Sequence, residues 1–268
     1  MANMHRTKLM NTRNWLYRRR LLLDDGGSGG YTEPAWANVA FRATFDGTDE
    51  DTSYTTEDAN TYAMTFTSSP KLDDTQTKFG TTAAYFDSNG DVLTAGTMSG
   101  DLDTMSGSDW AVEGWMYNEV DPASHSDGGH MLMHLGSVAH NQRVFSFYIR
   151  TDGELGLMYS TTGTDEVFVT STGADFTGTG TWNHLAMSFD DTAGTLRMFA
   201  NGTMVYEDSH PGLRSTSAHF GSDLQIGRVT DFPDARQHYG WIDDVRVVVG
   251  EVVYTDDFTV PTEARPTS

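Results

Sequence analysis

The sequence predicts an all-β fold, a two-sheet antiparallel jelly-roll sandwich preceded by an extended or helical N-terminal arm. Three observations carry that expectation. Short runs of alternating apolar and polar residues recur along the chain, and each closes on Gly, Asp, Asn, Ser or Thr. Helical periodicity is missing outside the arm, and no repeat of fixed period stands out. The chain has 268 residues and no cysteine, so it is long enough to bury a sizeable core without disulfide staples.

Taken in order, residues 1–25 read as a basic anchoring arm. Leu9, Trp15, Leu16 and the Leu21-Leu22-Leu23 cluster are interleaved with arginine, as in an amphipathic docking segment. Gly26-Gly27-Ser28-Gly29-Gly30 opens a Gly-rich linker over 26–37, a composition that breaks regular structure. The domain proper is expected over 38–268. Its first run, Val39 to Phe45, puts Val39, Phe41 and Phe45 on alternate positions and stops at the turn signal Asp46-Gly47. Strands follow over 61–66, 83–86, 110–117, 143–150, 155–159, 166–170, 184–189, 196–200, 224–226 and 241–249. The polar stretch 118–129 reads as a surface loop. At least ten short strands punctuated by turns argue for two packed antiparallel sheets.

Charge divides the chain. The whole carries a formal −21, yet residues 1–30 hold six basic residues against two acidic ones, about +4, which leaves about −25 on the rest. A body that acidic repels nucleic acid and anionic membrane, whereas the arm is attracted to acidic partners. Absence of cysteine excludes a thiolate nucleophile and a zinc–thiolate site, and suits synthesis in a reducing cytoplasm. No run approaches the ~18 apolar residues of a membrane span, and the Leu21-Leu22-Leu23 cluster is too short for a signal-peptide core. Secretory export is therefore not expected.

The order of several short motifs resembles a known family. Phe45-Asp46-Gly47, Lys78-Phe79-Gly80, Ala84-Tyr85-Phe86-Asp87 and Trp110 to Tyr117 resemble the first half of laminin-G-like, concanavalin-A-like lectin/glucanase domains. Trp182-Asn183-His184-Leu185-Ala186, Phe199-Ala200-Asn201-Gly202, Gly240 to Arg246 and Tyr254 to Pro261 resemble the second half. The likeness spans about residues 38–263. It implies a jelly-roll sandwich that binds carbohydrate or protein, often with a calcium ion, and its closing Tyr-Thr-x-x-Phe-Thr-x-Pro is of the type common in tailed-bacteriophage structural proteins. A fold of this kind does not fix one ligand.

Candidate sites follow from residue chemistry. Retaining glucanases need two carboxylates roughly 5–5.5 Å apart, and the strand around Glu113 offers only that one acid before Glu119, so no catalytic residue is assigned and Glu113 reads as structural. His130 and His134 share a strand face, but no third metal ligand is evident beside them. His184 reads as a packed, hydrogen-bonded histidine. Calcium takes six to eight oxygen ligands; the sandwich implied by the resemblance brings Asp46 and Asp243 near each other, with Asp49 and Asp244 as further ligands. The alternative keeps Asp46 in an Asx-type turn and Asp244 paired with Arg246 or a backbone amide. For a glycan, Trp115, Trp182 and Trp241 fall on motif strands and read as core, so Tyr239, His238, Asp231, Asp234 and Arg236 on one loop are the candidate contacts. In the arm, Trp15, Leu16, Tyr17, Arg18, Arg19 and Arg20 are the candidate anchoring residues for an acidic groove of a capsid or other virion protein.

The resulting expectation is a non-enzymatic phage virion protein, made in the host cytoplasm and arrayed on the particle as a capsid decoration or cement protein. Its lectin-like domain would meet host-surface glycans through many copies, as a homo-oligomer or lattice. The alternatives are a tail fibre or receptor-binding subunit, and a cellular carbohydrate-binding protein.

Overall fold

A computed structural model describes residues 32–97, 102, 105–125, 128–136, 143–213, 223–229 and 236–264. The anchoring residues 15–20, the glycine tether, Asp231 and Asp234 lie outside the described residues. Among the described residues there are sixteen strands. The first seven are β1 (Val39–Ala43), β2 (Tyr54–Thr55), β3 (Ala63–Thr67), β4 (Lys71–Asp73), β5 (Ala83–Phe86), β6 (Val92–Thr97) and β7 (Trp110–Asn118). Next come β8 (His130–Gly136), β9 (Arg143–Ile149), β10 (Leu155–Tyr159), β11 (Val167–Thr170) and β12 (Trp182–Asp190). The last are β13 (Thr195–Ala200), β14 (Thr203–Ser209), β15 (Asp223–Ile226) and β16 (Gly240–Val249).

They form two antiparallel sheets of eight strands each. One runs β14-β13-β12-β7-β16-β5-β4, with β1 also paired to β16; the other runs β11-β10-β9-β8-β15-β6-β3-β2. The expected all-β sandwich is thus present. Trp110, Val112 and Met116 of β7 and Ile242, Val245 and Val247 of β16 face Leu132, Phe145, Phe147 and Leu224 of the other sheet in one buried core. Gly114 belongs to the same inward set, because a Cβ there would meet Leu132 Cδ1 at 2.9 Å.

Both faces of the first sheet are covered around its centre. Ala111, Ala186, Phe199 and Val248 point outward and pack against Val253, Tyr254 and Phe258 of the C-terminal segment, in a second cluster. Burial on both faces explains why β7 and β16 read as near-continuous apolar runs, and why alternation in the sequence does not reveal which side chains face the core. Trp115 and Trp241 are buried as expected, but on the outer face; Trp182 is only half-buried.

Several boundaries differ from expectation. The first strand ends at Ala43, since Phe45 takes a left-handed φ of 55°. β2, β4, β6 and β14 were not marked by the alternating pattern; β2 and β4 are only two and three residues long. Within 118–129, Asn118 is not loop: it closes β7, is buried, and donates from Nδ2 to the Phe176 carbonyl at 3.3 Å. Residues 32–37, expected as linker, are joined to the body. Thr32 N–H donates to the Val253 carbonyl at 3.0 Å and Ala35 N–H to Glu251 Oε2 at 3.2 Å.

Candidate ligand-binding face

The outer face of the first sheet gathers the side chains with chemistry to offer, in rows that cross the strands. The first row is set by register: Lys71 lies opposite Tyr85, Tyr85 opposite Trp241, Trp241 opposite Tyr117, and Tyr117 opposite Trp182. Directly opposed residues share a face and touch. Tyr85 and Trp241 stack with centroids 4.4 Å apart, Tyr117 meets Trp241 edge-on at 86°, and Trp182 meets Tyr117 at 63°. Tyr85, Tyr117 and Trp182 are half-exposed. Polar groups fix the row: Trp241 Nε1 donates to Asp73 Oδ1 at 2.9 Å and the Tyr85 hydroxyl to Glu119 Oε2 at 2.9 Å.

Two residues along each strand, the second row is Asp243, Trp115 and His184. The turn after Lys78 folds over it. Asp243 Oδ2 accepts from the backbone N–H groups of Lys78 and Phe79 at 2.9 and 3.1 Å, and the Lys78 ammonium sits 3.8 Å from the Trp115 ring centroid. From the other side Asp46 Oδ1 accepts from Thr81 N–H at 2.6 Å. Between them Gly80 has φ 62°, and a Cβ there would lie 1.8 Å from Asp46 Oδ1. Only glycine fits that close approach. Burial pushes the Asp243 carboxyl up to about 8, partly opposed by the two turn amides and reinforced by neighbouring Asp244.

The third row is ionic and buried. Glu113 accepts from Arg246 Nε at 2.6 Å, from a second Arg246 nitrogen and from the Tyr254 hydroxyl, and His184 Nε2 lies 3.0 Å from its other oxygen. Glu113 is thus tied into the sheet by an ion pair and hydrogen bonds. Asp244 pairs with Arg42 rather than Arg246, which also contacts Glu33 Oε1 at 3.1 Å. The reason is a bulge: register shifts between Asp243 and Arg246, and Asp244 takes a left-handed φ of 51° that turns it toward β1. Burial raises the Asp244 carboxyl, and the Arg42 guanidinium opposes the rise.

The sequence-derived sites are placed as follows. Asp46 and Asp243 grip the same turn from two sides, Asp46 Oδ1 and Asp243 Oδ2 accepting from its amides; the bond from Asp46 reaches across to Thr81 and is not a local Asx-type turn. Among the described residues, the acidic group with ligand atoms within 4.8 Å is instead Asp49, Glu50 and Asp73, and Lys71 lies among them with contacts to Glu50 and Asp73. His238 is fully buried, so its ring is closed to a surface glycan: Nδ1 lies 3.0 Å from His130 Nδ1, and Nε2 lies 3.2 Å from the Trp241 carbonyl. Arg236 lies over the Tyr148 ring at 4.2 Å, and half-buried Tyr239 contacts His125. His134 bonds Ser146 Oγ at 2.7 Å, apart from His130. The aromatic row was missed because it exists only through pairing of four strands distant in sequence.

A two-sheet sandwich of this order defines a concanavalin A-like class of fold. A family model described as the concanavalin A-like lectin/glucanases superfamily (Laminin_G_3) matches residues 87–252, and the chain belongs to that family. Among solved structures it is similar to domain 4 of AbnA, a GH43 extracellular arabinanase from Geobacillus stearothermophilus, in complex with arabinotriose. That likeness has 17% identity, covers 81% of this chain and 94% of that one, and has a TM-score of 0.54. It is also similar to the botulinum neurotoxin serotype D/C binding domain, at 10% identity over 83% of this chain and 50% of that one, TM-score 0.55. For the serotype G binding domain the figures are 13%, 74% and 45%, with TM-score 0.52. At such identities the likeness is one of fold. No curated protein matches the chain in sequence. Among the described residues no helix is long and apolar enough to cross a membrane.

Proposed function

We propose that this chain is a non-catalytic glycan-binding component of a tailed-phage particle, a capsid decoration or cement protein held by residues 1–25 and displaying the sandwich. The observation that carries the glycan reading is the row of Tyr85, Trp241, Tyr117 and Trp182 across four neighbouring strands, in which every ring but the buried Trp241 is half-exposed. Sugars present apolar C–H faces that pack on aromatic rings and hydroxyls that need polar partners at the rim. Tyr85 and Trp241 stack on one another, so Tyr117 and Trp182 are the rings with surface to offer. The similar arabinanase domain in complex with arabinotriose supports this use of the fold.

Non-catalysis is supported by the state of the acids. Glu113 and Asp244 influence one another, yet they are 3% and 2% exposed and each is bound by an arginine. Neither is placed to protonate a glycosidic oxygen. The virion reading is supported by the charge division between arm and body and by the closing motif Tyr254 to Pro261.

Two measurements test the proposal. A glycan array probed with the full chain should give hits that Trp182→Ala or Tyr117→Ala weakens about tenfold or more, the scale on which a buried aromatic anchor contributes. An array blank over all neutral and acidic glycans would reject the glycan reading. Deletion of residues 1–25 should leave a folded protein that no longer co-sediments with particles; undiminished co-sedimentation would reject the anchor.

A further inference from the structure

The second row holds three buried polar atoms that make no hydrogen bond among the described residues: Asp243 Oδ1, Trp115 Nε1 and His184 Nδ1. Their residues are 1%, 3% and 1% exposed and are direct cross-strand neighbours on one face. Buried polar groups in folded proteins are nearly always satisfied. Three exceptions in a single row, on the face that also carries the half-exposed aromatic rings, point to a ligand.

The chemistry of the row narrows that ligand. Trp115 Nε1 can only donate. Glu113 is an acceptor with donors from Arg246 and Tyr254 around it, so His184 Nε2, 3.0 Å away, donates to it, which leaves Nδ1 for an incoming group. Asp243 Oδ2 is spent on two backbone amides, which leaves Oδ1 for an incoming group. A partner for all three must both donate and accept over a short span, as vicinal hydroxyls do. Burial disfavours the charged forms of both Lys78 and Asp243, so the row suits an uncharged group rather than a carboxylated sugar.

Lys78 closes the row. Its ammonium occupies the Trp115 face at 3.8 Å, while Phe79 meets the same indole edge-on at 6.0 Å. The backbone of the turn is pinned by Asp243 and Asp46, but among the described residues the lysine side chain ends in no hydrogen bond or ion pair, and it is half-exposed. It can swing away without moving the turn, and burial already disfavours its charged form.

Building on the glycan reading above, we propose that Lys78, Trp115, Asp243 and His184 form a covered subsite for a neutral sugar, whose ring displaces the Lys78 amine from the Trp115 indole and whose hydroxyls bond the three orphan atoms. Tyr117 and Trp182 of the neighbouring row would receive the next unit of the glycan.

The test uses the full chain. Neutral arabino-, gluco- and galacto-oligosaccharides and their sialylated counterparts are screened, and the strongest hit is titrated by tryptophan fluorescence against Lys78→Ala and Trp115→Phe variants whose thermal midpoints match the parent. Lys78→Ala should bind several-fold more tightly, on the scale of a lost cation–π contact. Trp115→Phe, which keeps a ring but deletes the N–H, should bind about tenfold more weakly, on the scale of one unpaired hydrogen bond. Neutral glycans bound equally by all three proteins would overturn the subsite and leave the glycan reading standing. A preference for sialylated over neutral glycans would overturn the subsite in the same way. No binding of any glycan would remove both.

Discussion

At the scale of single residues, Glu113 shows how a carboxylate on a lectin-type strand is given over to structure. Two arginine nitrogens, a tyrosine hydroxyl and a histidine converge on it beneath the C-terminal segment. A buried pair of this kind adds little over a well-packed apolar pair, yet removing one partner is costly because the other charge is left unpaired. Glu113→Gln should therefore lower stability by about 3–5 kcal/mol, read as a shift in the urea midpoint at constant slope. The double variant Glu113→Leu with Arg246→Met should recover part of that loss, and a strictly additive double variant would show that the two side chains do not interact. At this scale the sequence was legible only in part. Glu113 as a structural acid and His184 as a bonded histidine could be read from their strand contexts. The partner of Asp244 could not, because a bulge at a left-handed non-glycine residue carries no local signature and redirects the side chain to β1.

At the scale of elements, period-2 alternation closed by turn residues located most strands to within a residue or two, β10 and β5 among them. The two-residue β2 and three-residue β4 are too short to display a period. Face assignment failed for a different reason. Along β7, Trp110, Val112 and Met116 enter the inter-sheet core while Ala111, Glu113, Trp115 and Tyr117 face outward, yet both sets are largely apolar because the C-terminal segment roofs the outer face. Assigning Trp115, Trp182 and Trp241 to the core moved the glycan candidates to the loop at 231–239, where His238 proves inaccessible. Tyr117 lies two residues from Trp115 and four from Glu113, so its shared face was visible in the spacing. Its alignment with Tyr85, Trp241 and Trp182 depends on register across β5, β16, β7 and β12, which one sequence does not disclose.

At the scale of the molecule, buried titrating groups set opposing pH dependences. Burial holds His130 at about 2, His134 at about 3 and His238 at about 3, with His238 and His125 adding to the effect at His130 and Arg143 at His134. Below the ordinary histidine value of about 6.5 the unfolded chain takes up protons that the folded one refuses, so this stability is full above that value and lost as pH falls toward 3. Asp243 works the other way: its contribution is full below about 4 and lost as pH rises through about 8. Stability should climb from pH 4 to about 6.5 and then decline toward 8 by at most about 1.4 kcal/mol per pH unit. Urea midpoints at pH 5, 6.5 and 8 check this, and Asp243→Asn should flatten the alkaline side; a midpoint that keeps rising to pH 8 would contradict it. The stitching of Thr32 to Val253 and of Ala35 to Glu251 also sets a polarity. The chain enters beside the Val249 end of β16, whereas Trp241 stands eight residues away toward the other end, roughly 27 Å along an extended strand. A body moored upstream of Thr32 would hold its aromatic row at the far pole, a standoff that lets a bulky polysaccharide approach without grazing the surface beneath.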